Sequence, residues 1–411
     1  MKVDFNTHRH VESWCVIVKR MEVERFAQSP VGSVVPISGS DARFGETYEH
    51  WAFVPAALAD EVELSPAARD AVTEAALALG RLDQAGMQIP NPALLRRPTL
   101  RREAQSTSAL EGTYAPLIDV FGVEDSAEAK TPELREILNY VAAAEYAYQW
   151  VGERGRITRG LICELHAILM HGSDADADRA GEIRDIQVVI GSGGRIQEAR
   201  FVPPPPGHEL ETGLTDLLDW IDRPKTRSAQ AVVDSALAHY QFETLHPFHD
   251  GNGRIGRLLI VLQLLAGKVL SEPLFAVSPW FEARRAQYQD ELQNMSMTGD
   301  VDRWVSFFCE GIRAQAQATV EKITALLAFQ QEAMSTVRGT GRHSVAVDIA
   351  GDLVERPVLN VASTARRYDV SFVSANKAVA KLVDLGLLVE TTGRGHDRVF
   401  RCDRVLQILE R

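Results

Sequence analysis

The sequence predicts a mainly α-helical protein with a β-hairpin flap and a separate small domain at the C-terminus. Three observations lead there. Across the middle of the chain, apolar residues recur at three- and four-residue spacing, as the buried stripe of a helix requires. One segment, 186–206, replaces that spacing with extended stretches around a Gly-rich turn and a run of prolines. From about Gly339 the character changes again, after Arg338-Gly339-Thr340-Gly341-Arg342, which reads as a linker.

Taken in order, residues 1–50 are mixed, with Ser, Gly and Pro common from Ser29 to Ser40, so an irregular or partly ordered leader is expected. A helix runs from Ser65, a cap followed by Pro66, to Gly86. Another covers Thr99 to Leu110 just after Pro98, and a third starts at Thr131-Pro132 and reaches about Val151. Helical spacing continues at 158–171, 209–222, 229–245, 253–268, 282–297 and 301–336. In the flap, Ile186–Ile190 reads as a strand, Gly191–Gly194 as a turn and Arg195–Val202 as a second extended arm. Pro203–Pro206 stiffens its exit as polyproline II. The tail suggests helices at 346–355, 361–368 and 371–385, a turn at Asp369–Ser371, and strands at 386–390 and 399–401. The expected division is a leader at 1–50, a helical region at 51–130, a core at 131–337 and a tail module at 338–411.

Composition narrows the class. The 411 residues suffice for two or three domains, and 45% hydrophobic with 24% charged residues excludes wholesale disorder and collagen-like repeats. The net charge of −12 argues against coating of nucleic acid by the whole molecule. Cys15, Cys163, Cys309 and Cys402 lie far apart without metal-site spacing, which suits reduced thiols and a cytoplasmic location. The N-terminus lacks the long apolar run of a signal or anchor.

The chemistry concentrates in His246-Pro247-Phe248-His249-Asp250-Gly251-Asn252-Gly253-Arg254-Ile255-Gly256-Arg257. This stretch lies between two helical patterns, so it forms a tight loop feeding a helix N-terminus, where free N–H groups and the dipole favour an anion. Gly251 and Gly253 let the backbone approach a ligand closely. Arg254 and Arg257, three apart on that helix, share a face and suit phosphates. Asp250 offers the hard oxygen that Mg²⁺ uses beside a phosphate chain. His246, titrating near neutrality, is placed to take a proton from a hydroxyl. Any one of these has a bland reading as a turn, a surface His or a solvated Arg pair. Together within twelve residues they are the parts of phosphoryl or nucleotidyl transfer.

That loop resembles the signature of Fic-domain proteins, His-x-Phe-x-Asp/Glu-Gly-Asn-Gly-Arg-x-x-Arg, at every fixed position, and the resemblance extends over roughly residues 45–335. It implies a helical core that transfers AMP from ATP to a Tyr, Thr or Ser hydroxyl of a target protein and releases pyrophosphate. By the same resemblance, His246 is the base and Phe248 anchors the loop. Asp250 holds Mg²⁺, Gly251, Asn252 and Gly253 cradle the phosphates, and Arg254 and Arg257 grip the β/γ end. Gly181, Arg184 and Gln187, with Phe201–Pro206, resemble the family's target-docking flap. Thr107-Ser108-Ala109-Leu110-Glu111-Gly112 is similar to its inhibitory motif, implying that Glu111 pairs bidentately with Arg257 and blocks productive ATP binding. Arg285 and Tyr288 resemble an adenine-side Arg-x-x-Tyr-Tyr pattern, with Gln289 in place of the second Tyr. Another donor, as in a Doc-like kinase, is disfavoured by the intact glycines.

The tail carries 9 Lys plus Arg against 6 Asp plus Glu over residues 357–411, a basic module in an acidic chain. Its pattern resembles a winged helix-turn-helix. The resemblance implies Ser374, Asn376, Lys377 and Lys381 on a recognition helix, Arg394 and Arg398 on the wing, and DNA or a second copy of the chain as partner. A regulator that merely senses nucleotide is the rival reading. Asp174, Asp176 and Asp178 begin like a calcium loop, but Arg179 stands where Gly is needed, so a solvated loop is expected.

Overall fold

The computed structural model describes residues 20–41, 44–89, 91–123, 131–172, 179–191, 194–223, 228–340, 344–392 and 398–411. Cys15, the Asp174–Asp178 acidic run and the wing residue Arg394 lie outside the described residues.

A short helix α1 (Val23–Ala27) leads into a long hairpin, β1 (Gly32–Asp41) and β2 (Glu46–Pro55), in antiparallel register from Gly32↔Pro55 to Asp41↔Glu46. The leader is thus more regular than its Ser/Gly/Pro content suggests, and the hairpin crosses residue 50. A two-stranded ribbon consists of edges, where Pro36 is tolerated. The hairpin also gains a second small core, in which Phe53, Phe26 and Phe201 pack ring to ring at 5.3–6.0 Å.

The helical body follows: α2 (Pro66–Met87), α3 (Ala93–Leu110), α4 (Leu117–Gly122), α5 (Pro132–Arg154), α6 (Arg159–Leu169), α7 (His208–Asp222), α8 (Ser228–Leu245), α9 (Asn252–Ala266), α10 (Ser278–Ala283), α11 (Arg285–Thr298) and α12 (Val301–Arg338). The caps at Ser65, Thr131 and Thr158 accept from the third residue onward at 3.2 Å each. At the centre is α9, buried at every residue from Asn252 to Leu264 and flanked by α3, α5, α6 and α8. A helix buried all round has no amphipathic stripe, so its polar side chains draw partners from the helices around it.

Three boundaries differ from the sequence expectation. Helix α3 starts at Ala93 and carries Pro98 inside it, because burial of Leu95 and Leu100 holds the turn across the missing N–H. The 282–297 stretch breaks at Arg284, whose backbone leaves the helical region as its guanidinium settles 4.5 Å from the centre of the Trp280 ring. The flap forms one antiparallel bridge, Ile190↔Phe201, and Ile196–Glu198 makes a 3₁₀ turn rather than extending. Its second arm is occupied elsewhere: Ala199 and Val202 carbonyls accept from Met21 and Phe53, and the prolines that follow have no N–H to give.

Helix α12 ends at Arg338, with Gly339 as its C-cap, where the linker was expected to begin; residues 341–343 of that stretch lie outside the described residues. The tail then comprises α13 (Val345–Asp352), β3 (Val358–Asn360), α14 (Val361–Arg367), α15 (Phe372–Asp384), β4 (Val389–Glu390), β5 (Val399–Arg401) and α16 (Asp403–Glu410). The strands form a sheet in the order β3-β5-β4. Both β3 and α16 are additions to the sequence reading. Tail elements α13 and α16 pack on α12, and β3 packs on α4.

Candidate active site

The loop joining α8 to α9 is held by its own side chains. Phe248 is fully buried, its ring 3.9 Å from that of His166 and nearly parallel to it. Asn252 ties the loop to the helix: its Oδ1 accepts from Phe248 N at 2.8 Å and its Nδ2 donates to Phe248 O at 2.9 Å. That side chain is therefore committed to the loop, and the phosphate cradle expected at Gly251–Gly253 consists of backbone. Gly251 caps α9 with φ +76, and a side chain there would press on Leu169 and Met170.

His246 itself has φ +49, a strained left-handed backbone for a residue with a Cβ. Arg184 holds it there. The guanidinium, buried, donates from Nε to His246 O at 2.8 Å and from Nη2 to Pro204 O at 2.5 Å, and Arg184 N donates to Pro247 O at 2.9 Å. Gln187 donates to Pro203 O at 2.9 Å. Of these two residues, expected in a target-docking flap, Arg184 is turned inward to brace the loop, and Gln187 ties the flap to its own proline exit.

The imidazole is held in one tautomer. Its Nδ1 lies 3.3 Å from Glu243 O, an acceptor, so Nδ1 carries the proton and Nε2 keeps a lone pair. Burial, with Arg184 beside it, pushes its pKa down to about 4. His246 is therefore neutral at physiological pH, rather than titrating near it.

The two arginines of α9 are both buried and already partnered. Arg257 donates from Nε to Thr107 Oγ1 at 2.7 Å, and from Nη2 to Thr107 O at 3.0 Å and Glu111 Oε1 at 2.5 Å. The pair is thus a single contact to one carboxylate oxygen, not the bidentate fork expected, because Nε is spent on Thr107. Burial opposes the charge on Glu111, but Arg257, followed by Arg254 and His246, holds its carboxyl below the usual range. A Cβ at Gly253 would collide with Glu111 Oε1, so this glycine makes room for the Glu111 carboxylate. The Ser108 hydroxyl is buried without a partner among the described residues. Arg254 meets Glu136 Oε2 at 3.2 Å and Asp250 Oδ2 at 3.4 Å.

Beside His246, a cavity of about 170 Å³ is lined by Glu111, Ile190, Glu243, Gly253, Arg257, Tyr288, Gln289 and Leu292, among others. That is below the roughly 300 Å³ where ligand pockets begin, and Glu111 projects into the space. Tyr288 forms a wall, its hydroxyl 2.7 Å from His239 Nε2 and its ring 4.6 Å from Phe281. Arg285 does not join it; it is exposed at the start of α11. Sequence reasoning missed Glu136, Glu243 and His166. Glu243 offered the best clue, a lone carboxylate in an apolar run three residues before His246; burial pushes it up to about 7.

Residues 69–149 match the model of the Fic/DOC family N-terminal region, and 156–264 that of the Fic/DOC family. The chain is 35% identical over 113 residues to protein adenylyltransferase fic-1 of Caenorhabditis elegans, covering 28% of this chain and 20% of that protein. It is 33% identical over 180 residues to protein adenylyltransferase Fic of Drosophila grimshawi, covering 43% and 33%. The match spans a fifth to a third of these relatives' length. The fold resembles the crystal structure of a Fic family protein from Desulfovibrio desulfuricans G20, with a TM-score of 0.55, 22% identity, and coverage of 83% of this chain and 97% of that one.

Proposed function

The chain carries a Fic/DOC family domain behind a Fic/DOC family N-terminal region, and from that premise we propose that it is a protein adenylyltransferase held in check by Glu111. The observation that carries this reading is the half-buried contact of Glu111 with the buried Arg257, beside a neutral His246. His246 Nε2 accepts the proton of a target hydroxyl; the freed oxygen attacks the α-phosphorus of ATP, and the α–β bond breaks with its electron pair leaving on pyrophosphate. Backbone N–H groups at the start of α9 stabilise the charge gathered on the α-phosphate. Arg257 and Arg254 hold the β- and γ-phosphates once Glu111 is displaced, while Ile190 and Tyr288 flank the base.

Among the described residues no cluster of three metal-ligating side chains occurs. Asp250, half-exposed beside the phosphate-binding helix end, fits the single protein ligand of a Mg²⁺ that otherwise uses phosphate oxygens. Such an ion would neutralise charge on the departing pyrophosphate.

ATP labelled at the α- or γ-phosphate tests the reading on the Glu111→Gly protein. Label from the α position on protein supports it; label from the γ position would make the protein a kinase. No label, together with a DNA footprint, would favour a nucleotide-sensing regulator. The tail supports a winged-helix module that binds DNA or a second copy of the chain, with Lys377 exposed on α15. The thiols of Cys163, Cys309 and Cys402 are free, and among the described residues no helix is long and apolar enough to cross a membrane; we place the protein in the cytoplasm.

A further inference from the structure

Arg254 and Arg257 sit one turn apart on α9, yet they are held from different directions. Arg257 is gripped by α3. Arg254 reaches α5, where Glu136 Oε2 accepts from its Nη1 at 3.2 Å. The same carboxylate oxygen accepts the Thr113 hydroxyl at 2.9 Å. Thr113 owes its place to the end of α3: Gly112 takes φ +96, Gly112 N donates to Ala109 O, and Thr113 N reaches back to Ser108 O, both at 3.0 Å. This left-handed closure turns the chain so that Glu111 addresses one arginine and Thr113 addresses the partner of the other.

The remaining nitrogens of Arg254 are held less firmly, Nη2 lying 3.9 Å from Met170 Sδ. Nη2 lies 3.4 Å from Asp250 Oδ2. Nε is buried and finds no acceptor among the described residues. A carboxylate near an anion site repels the anion, so Glu136 must supply something other than charge. What it can supply is order: a long guanidinium side chain fixed at one nitrogen loses less freedom when its others bind phosphate. If Asp250 turns to a metal ion, Glu136 is the anchor that remains.

We propose that Glu136 is the positioning residue of Arg254, anchoring Nη1 so that Nε and Nη2 stay turned toward the phosphate chain, while Thr113 ties that anchor to the end of the inhibitory helix. This rests on the reading of Arg254 as a phosphate-binding residue.

The test is calorimetric titration of metal-free tripolyphosphate into the full-length Glu111→Gly protein, alone and with a second change at Glu136. Glu136→Ala should weaken binding about tenfold, the lower end of what loss of a supporting partner costs an ordered site. Glu136→Asp keeps the charge and the helix but falls short of Nη1, and should weaken binding several-fold. Glu136→Gln should stay within about threefold of the parent, because one oxygen takes both donors and an amide oxygen can do the same. Melting curves check the fold; if the Ala variant does not fold, the Asp variant decides. Binding as tight as the parent's, or tighter, in the Ala or Asp variant would overturn the proposal and leave Glu136 a competing charge. A parent that bound no tripolyphosphate would overturn it together with the phosphate reading. The expected ranking without AMP transfer would support it and remove only the transferase reading.

Discussion

The start of α9 and the start of α15 are both helix N-termini carrying basic residues, and they are built in opposite ways. At α9, Arg254 and Arg257 are buried and each has a carboxylate on it. At α15, Phe372, Val373, Ser374 and Lys377 are exposed, and Asn376 accepts from Arg398 at 2.7 Å. Burying a guanidinium is expensive unless it is paired, so each buried arginine needs a partner, and an anionic ligand would have to replace or join it. An exposed lysine needs no partner, and its presence implies little about a ligand. The comparison teaches where a charge acts as a switch and where it acts as a surface.

The largest effect should come from the base. In the Glu111→Gly background, His246→Ala should lower AMP transfer by roughly 10²–10⁴-fold, the usual contribution of a general base, with ATP binding retained in calorimetry. Near-parental transfer at pH 7 would remove His246 from the mechanism. Glu111→Gly by itself should raise self-labelling clearly above wild type, since it frees Arg257 without adding bulk. Arg257→Ala in that background should then weaken ATP binding about 10- to 100-fold, as loss of a charge-assisted hydrogen bond does. If Arg257→Ala leaves affinity unchanged, the buried pair is structural and the contrast with α15 collapses.

A smaller effect follows from the buried histidines. His246 and His166 are pushed down to about 4 and His239 to about 3, each first by burial. Their unfolded value is near 6.5. Between about pH 6.5 and 4 the unfolded chain therefore binds protons that the folded chain does not, so stability falls as pH is lowered through that window. Transfer, by contrast, should stay nearly independent of pH down to about 5, because His246 remains neutral there. Melting temperatures between pH 7.5 and 4.5 check the first claim, and a rate profile the second. A rate that halves near pH 6.5 would mean that His246 is not shielded.

What the sequence made legible follows from locality. The signature loop, the caps at Ser65, Thr131 and Thr158, and the contact of Glu111 with Arg257 depend on residues close in sequence or on a motif that names both partners. The β1–β2 hairpin was hidden because Gly32, Pro36 and Gly39 read as turn formers; what stabilises it is Phe53 against Phe26 and Phe201, some 150 residues away in the last case. Arg184 was read as part of a target-docking flap because no spacing tells that its guanidinium bonds the carbonyls of His246 and Pro204. Glu136 was illegible for the same reason: on α5 it is one acidic residue among several, and only the packing of α5 on α9 makes it the partner of Arg254. The inward turn of both residues is a tertiary fact.

The smallest expected effect lies in the tail, and it sharpens the comparison from the other side. Removing the tail outright is a blunt test, because Ala333 and Val337 at the end of α12 are buried and α13 and α16 pack on that helix, so truncation would expose apolar surface. A point change at Lys377, exposed on α15, avoids this. Lys377→Ala should leave the fold, ATP affinity and transfer unchanged, since no described contact connects it to α9. If the tail binds DNA, the same change should weaken retention evenly across sequences and lower the slope of log affinity against log salt by about one, the signature of a single lost phosphate contact. An unchanged slope would turn α15 into a protein-docking face, with exposed Phe372 and Val373 as its apolar centre. A fall in transfer would be the more disruptive result: it would mean that an exposed lysine on α15 is coupled to the buried arginines of α9, through α12 or the packing of β3 on α4, and that the two helix ends are parts of one device.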